Sequence, residues 1–265
     1  MKRRTFLKLT SAMLGGTLLS SYAYSFRRHD IAITRESFVG SPFKKNLKIV
    51  SISDLHAPGF PGDNGELIDL INSESPDIVV LAGDIIDKAN KETLVRDFGS
   101  IKSSLLKIAA LGNWEYLSDL DLTKLDQAYA EAGFKLLINE HMKIGPLSII
   151  GLDDLIEGSI QLDMIEETLK TSGMVLLVSH CPEPFAYIRY KSDTPLLMIS
   201  GHTHGGQIAP FGVPLVTPKG SGSYVQGWYH RNKFSLYVMR GIGMTPGCPI
   251  RLGSTPEIFV LNLIN

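Results

Sequence analysis

The chain alternates short apolar runs with amphipathic stretches. Strand-length runs rich in Val, Ile and Leu recur at 47–53, 78–81, 107–111, 147–151, 175–179, 196–200, 234–239 and 258–263. Many are continuous rather than alternating, as strands buried on both faces are. Between several of them apolar residues fall at helical spacing, over 66–72, 91–104, 122–132 and 163–170. Strand followed by helix, repeated, predicts an α/β fold with at least one largely parallel sheet. The pattern changes towards the end. Residues 210–227 are rich in Gly and Pro, and the last two strand runs have no helix between them, which points to a second sheet or a long loop over a site. No internal repeat, charge block or low-complexity tract interrupts the chain. One domain over 47–265, preceded by a lead-in at 26–46, is the simplest organisation.

The first residues follow a different pattern. M-K-R-R-T-F-L-K carries only positive charge, the next stretch to Leu19 is mildly apolar, and small residues cluster at Ser20, Ser21, Ala23 and Ser25. A basic start, a short apolar middle and a small-residue end form an export signal over 1–25, too short and polar to span a membrane. Arg3-Arg4 followed by Thr5-Phe6-Leu7-Lys8 resembles the address read by the twin-arginine export machinery. The expectation is an exported protein, periplasmic or otherwise extracytoplasmic, held at the membrane or the cell wall. Its removal would lower the formal net charge of −1 by the four charges of Lys2, Arg3, Arg4 and Lys8.

Composition narrows the classes further. With 44% hydrophobic residues and Lys+Arg 26 against Asp+Glu 27, the 265-residue chain is neither disordered nor, lacking repeated apolar runs of ~18 residues, a polytopic membrane protein. Near-neutral charge gives no footprint for specific nucleic-acid binding. Cys181 and Cys248 are too few for a disulfide framework, and no bridge between them is expected.

The chemistry sits at the ends of the strand runs. They lead into Asp54-Leu55-His56, Gly83-Asp84-Ile85-Ile86-Asp87, Gly112-Asn113-Trp114-Glu115, His180 and Gly201-His202-Thr203-His204-Gly205-Gly206. Ligands in α/β sheets bind beyond the carboxyl ends of strands, so these groups are expected to converge. In an extended segment alternate side chains share a side, which pairs Asp54 with His56 and His202 with His204. Carboxylates, an asparagine oxygen and imidazoles without thiolates suit Mn²⁺, Fe²⁺/Fe³⁺ or Zn²⁺ rather than a structural zinc or iron–sulfur site. Seven candidate ligands exceed what one ion needs once room is left for substrate. Two divalent metal ions with one bridging carboxylate are implied.

This order of motifs, D-x-H, G-D-x-x-D, G-N-[HW]-[DE], an isolated His and G-H-x-H, resembles the calcineurin-like metallophosphoesterases. Gly205-Gly206-Gln207-Ile208, Arg240-Gly241-Ile242-Gly243, Pro249-Ile250-Arg251-Leu252 and Pro256-Glu257-Ile258 look like the bacterial exported or membrane-associated phosphodiesterase branch. The resemblance implies a single-domain, four-layer α/β/β/α sandwich. By position, Asp54, His56 and His204 would hold one metal, Asn113, His180 and His202 the second, and Asp84 would bridge them. Asp87 would orient a ligand or a neighbouring loop. Hydrolysis of phosphodiester or pyrophosphate bonds would proceed by a metal-bound hydroxide, without a protein nucleophile, on a phosphodiester, nucleotide or phospholipid-type substrate.

One position departs from the pattern. The family usually has His after the metal-binding Asn, and here it is Trp114, whose indole N–H cannot act as a general acid. Either Glu115, Tyr116, His141 or His230 supplies the proton, or the leaving group departs unaided. Arg240 and Arg251 are candidate phosphate donors, and the loop 211–224 a candidate pocket rim. Two alternatives stand beside the main reading: a UDP-2,3-diacylglucosamine hydrolase-like enzyme of lipid A synthesis acting on a lipid-linked nucleotide, and a non-catalytic metal-binding envelope protein.

Overall fold

The computed structural model describes residues 31–56, 64–87, 94–190, 192–248 and 250–265. The export signal expected over 1–25 lies outside them. Two six-stranded sheets dominate. The first has strands β1 (Ala32–Val39), β2 (Leu47–Ile52), β3 (Ile78–Ala82), β4 (Leu106–Ala110), β5 (Lys135–Leu136) and β12 (Glu257–Ile264), in the order β1-β12-β2-β3-β4-β5. The second has β6 (Glu140–Ile144), β7 (Leu147–Gly151), β8 (Met174–Val178), β9 (Leu196–Ser200), β10 (Gly227–Arg231) and β11 (Phe234–Val238), in the order β10-β11-β9-β8-β7-β6. Within them β2, β3 and β4 run parallel, as do β7, β8, β9 and β11.

Alternation within the strands explains the layers. On β3, Ile78, Val80 and Ala82 face one core and Val79 and Leu81 another; on β8, Leu176 and Val178 share that first core while Val175 and Leu177 face a third. The shared core therefore lies between the sheets. The other two lie under helices: α1 (Asn64–Ser73) and α3 (Leu122–Glu131) cover the first sheet through Leu67, Ile71, Leu125 and Tyr129, and α4 (Asp163–Thr171) covers the second through Ile165 and Leu169. Two short helices, α2 (Asn113–Leu117) and α5 (Pro184–Tyr187), complete the α-helices among the described residues. Burial on both faces is why the central strands read as unbroken apolar runs. The four-layer α/β/β/α arrangement is the expected one.

Several elements differ from the sequence reading. The stretch read as a lead-in carries β1, which pairs along its whole length with β12. β1, β6 and β10 are edge strands whose half-exposed residues include charged ones, so they lack the apolar run that marks a central strand. In place of a helix over 91–104, the described part holds one wide helical turn, Leu94–Phe98, closed by turn bonds from Ser100 to Asp97 and from Ile101 to Phe98. Gly99 and Ser100 disfavour continuation. Cys181 and Cys248 are free.

Leu197 of β9 is fully buried between the sheets. Leu197→Ala should lower unfolding stability by ~2–5 kcal/mol through lost transfer energy and a residual cavity, read as a reduced denaturant midpoint with an unchanged m-value.

Candidate metal centre

The seven predicted ligands all lie just past strand ends, on short turns or, for Asn113 and His204, at the start of a short helical segment. Asp54 follows β2, Asp84 follows β3, Asn113 follows β4, and His180 and His202 follow β8 and β9. Parallel strands deliver these turns to one edge of each sheet, and the two edges meet. All seven residues are buried. Asp54, His56, Asp84, His202 and His204 each adopt positive φ, between 50° and 71°, a conformation costly for side chains other than glycine and retained where the surroundings enforce it. The turns are cross-tied: Asp54 N–H donates to Gly83 O at 3.0 Å, His56 N–H to Asp84 O at 3.0 Å, and Gly201 N–H to His180 O at 3.0 Å.

Two ligand groups result. Atoms of Asp54, His56 and His204 lie within 4.8 Å of one another, as do those of Asp84, His180 and His202. The nitrogens face each other in pairs, His56 Nε2 to His204 Nε2 at 3.2 Å and His180 Nε2 to His202 Nδ1 at 3.2 Å. His180 Nδ1 is held by Ala82 O at 2.9 Å and His202 Nε2 by Lys219 O at 2.7 Å. With their outer nitrogens so engaged, the two rings turn their other nitrogens, His180 Nε2 and His202 Nδ1, towards the same point. Asp84 Oδ2 stands 3.1 Å from His180 Nε2 and 3.9 Å from His56 Nε2, between the two groups. The Asn113 side-chain oxygen is buried without a hydrogen-bond partner, as an acceptor reserved for a ligand would be.

Electrostatics agree with that geometry. Burial pushes the pKa of His204 down to about 3 and lowers those of His56 and His202, keeping these imidazoles neutral and able to ligate. His180 goes the other way. Burial opposes its charge, but the Coulomb field and hydrogen bond of Asp84 outweigh that and hold its pKa well above the ordinary value. The pocket around Asp84 thus strongly favours positive charge, and these residues fit divalent cations.

Supporting groups lock the carboxylates. Asp54 accepts from Ser53 Oγ at 2.6 Å and from the His202 amide at 2.9 Å; Asp84 accepts from the Trp114 amide at 2.8 Å. A Cβ at Gly112 would stand 2.3 Å from Asp84 Oδ1 and one at Gly201 2.5 Å from Asp54 Oδ2, so both positions need glycine for steric reasons. Asp87 is near enough to His56 to favour its charged form.

The candidate proton donors and arginines have other roles. Glu115 is fully buried and accepts from the amides of Asp84, Ile85, Ile86 and Gly112 at 2.7–3.2 Å. Burial, aided by Asp84, pushes its pKa up to about 7, but its oxygens serve as a brace under the Asp84 turn. Its place three residues after Gly112, the N-cap of α2, was the available sequence signal. Tyr116 donates its hydroxyl to Asp153 at 2.5 Å. His141 and His230 stand on β6 and β10, the two outer strands of the second sheet, and His230 is bonded to Ser235. Arg240 pairs with Glu257 at 3.1 Å. Arg251 is buried, with its pKa lowered to about 10 by desolvation, and donates to the carbonyls of Ser254, Gly243, Arg240 and Gly241. It is a clamp on the loops beside His204 rather than a phosphate fork. Sequence reasoning also missed the two carbonyls behind His180 and His202, because backbone acceptors leave no trace in residue type.

Trp114 lies beside the centre, its ring edge-on to His56 with centroids 5.9 Å apart. The loop 211–224 does reach the rim: Leu215, Val216 and Pro218 wall a cavity of about 390 Å³ that opens on His202 and His204.

Comparison with known proteins accords with this site. The model of the calcineurin-like phosphoesterase family matches residues 47–206, the segment that carries all seven ligands. A protein of Campylobacter jejuni named as a metallophosphoesterase is 34% identical over 230 residues, which cover 83% of this chain and 60% of that protein. The metallophosphoesterase YkuE of Bacillus subtilis is 30% identical over 284 residues, covering 99% of this chain and 98% of its own length, and one of Aquifex aeolicus is 30% identical over 273 residues, covering 95% and 98%. With its motifs gathered where the edges of the two sheets meet and most of its length matched, the chain belongs to the calcineurin-like phosphoesterases.

Proposed function

We propose that the protein is an exported, dinuclear-metal-dependent phosphoesterase that hydrolyses phosphodiester or pyrophosphate bonds. The observation that carries this reading is the place of Asp84, whose Oδ2 lies within reach of imidazoles from both ligand groups. Asp54, His56 and His204 would hold one ion, Asn113, His180 and His202 the other, with Asp84 shared. Two divalent ions held by these residues would supply Lewis acidity and activate water at neutral pH.

The chain's own residues set the geometry and limit the chemistry. Ala82 O and Lys219 O fix which nitrogens of His180 and His202 face inward. Glu115 holds the Asp84 turn in its strained conformation by engaging consecutive amides. Trp114 offers no titratable proton to a leaving oxygen, and the other candidates are bonded elsewhere or stand on outer strands. That favours substrates whose leaving group departs without protonation, such as phosphoanhydrides, nucleotides or aryl esters. The apolar wall of Leu215, Val216 and Pro218 supports a second reading, a lipid-linked nucleotide such as UDP-2,3-diacylglucosamine with an acyl chain along that wall.

The purified protein, supplied with Mn²⁺, should hydrolyse an aryl phosphodiester faster than the monoester with the same aryl group. Asp84→Ala should lower that activity by at least about 100-fold and reduce bound metal, since even outer partners of metal ligands are worth 10–100-fold. Bound metal with hydrolysis of neither ester would move the weight to the lipid-linked nucleotide, and then to a non-catalytic role.

Trp114→His should raise kcat about tenfold or more on diesters with poor, alkyl-type leaving groups, and little on aryl ones, because a general acid matters only where the leaving oxygen needs a proton. An unchanged or lower rate on the alkyl diester would remove the account of Trp114 given above.

A further inference from the structure

We propose that the loop 211–216 seats the protein on the surface of a lipid bilayer, with the metal centre facing the headgroups. The loop presents large apolar side chains to solvent. Phe211, Val213, Leu215 and Val216 are all exposed, and Phe211 is completely so. Ile250, nearly half exposed, extends the patch from the neighbouring segment, which is tied to the base of the loop by Ala209 N–H donating to Leu252 O at 2.7 Å and by Gln207 Nε2 donating to Ile250 O at 3.1 Å.

Phe211 does not gain burial from its backbone. It sits at φ 57°, a conformation rare for a bulky residue, and the result is a ring held outward at the loop tip beside Gly212, also at positive φ. A contiguous exposed apolar patch marks a surface that is covered in use.

Charge selects lipid as the covering partner. Between Asp193 and Glu257 the chain contains no acidic residue; of the cations there, Arg231 and Arg251 are engaged by carbonyls and Arg240 by Glu257, so Lys219 is the charge the loop itself carries. Lys219 is exposed at the end of the loop, and its carbonyl accepts from His202. Apolar side chains at a tip, with an exposed lysine and no acidic residue within 211–219, are what an anionic interface attracts. Among the described residues no helix is long and apolar enough to cross a membrane, so the attachment proposed is to the surface.

The test uses the full chain bearing Phe211→Trp and vesicles of phosphatidylcholine with a minority of phosphatidylglycerol, with plain or brominated acyl chains. The fluorescence added by the indole at 211, relative to the unsubstituted protein, should fall by about half or more on brominated vesicles only, because an interfacial apolar group lies at the acyl boundary. Phe211→Asp with Val213→Asp should weaken vesicle partitioning about tenfold. Since the basic segment 1–25 can itself hold anionic vesicles, quenching at 211 decides the matter. Sedimentation with vesicles while that indole stays unquenched would overturn the proposal. So would absence of binding, or self-association of the protein abolished by the same double substitution, which would assign the patch to a second copy of the chain. No turnover enters these measurements, so failure of the phosphoesterase reading would be seen separately.

Discussion

Removing a carboxylate from water is costly unless counter-charge and hydrogen-bond donors replace its hydration. This chain does so twice in one place. Asp54 and Asp84 are buried where the two sheets meet, and the remainder of the site is an answer to that burial. Backbone amides of Trp114 and His202 and the Ser53 hydroxyl supply donors. Imidazoles supply ligand atoms, and the turns accept left-handed backbone to bring them inward. Glu115 and Arg251 hold those turns from behind, one by collecting amides and the other by donating to carbonyls.

That division of labour explains why two sheets are needed. A single parallel sheet gathers ligands along one line of strand ends. Here the first sheet contributes Asp54, His56, Asp84 and Asn113, the second His180, His202 and His204. Each of the two triads draws on both sheets, so neither can assemble unless the apolar layer between the sheets is packed. Stability of that layer and competence of the metal centre are therefore linked.

The legible and illegible parts of this structure divide along physical lines. Central strands such as β3 and β8 could be read because burial on both faces demands unbroken apolar runs. The ligands could be read because metal chemistry restricts residue type at each strand end. β1, β6 and β10 escaped because an edge strand has one solvated side, and the long helix expected after residue 91 was contradicted by Gly99 and Ser100. Glu115 and Arg251 were read as possible chemistry and turned out to be scaffolding. Type alone shows that a side chain can donate or accept, and only the fold shows that Arg251 donates inward to carbonyls.

The fate of the two arginines also constrains recognition. A phosphate usually meets a guanidinium fork, yet Arg251 is enclosed by carbonyls and Arg240 already holds Glu257. The charge that meets a substrate here would come mainly from ions held by the buried ligands. Such a site would read the phosphoryl group itself and leave discrimination of the remainder to what borders it, Trp114 and the apolar loop. Under the proposed function, specificity would rest on the leaving group and on the surface around the opening, bordered by Trp114 and the apolar loop.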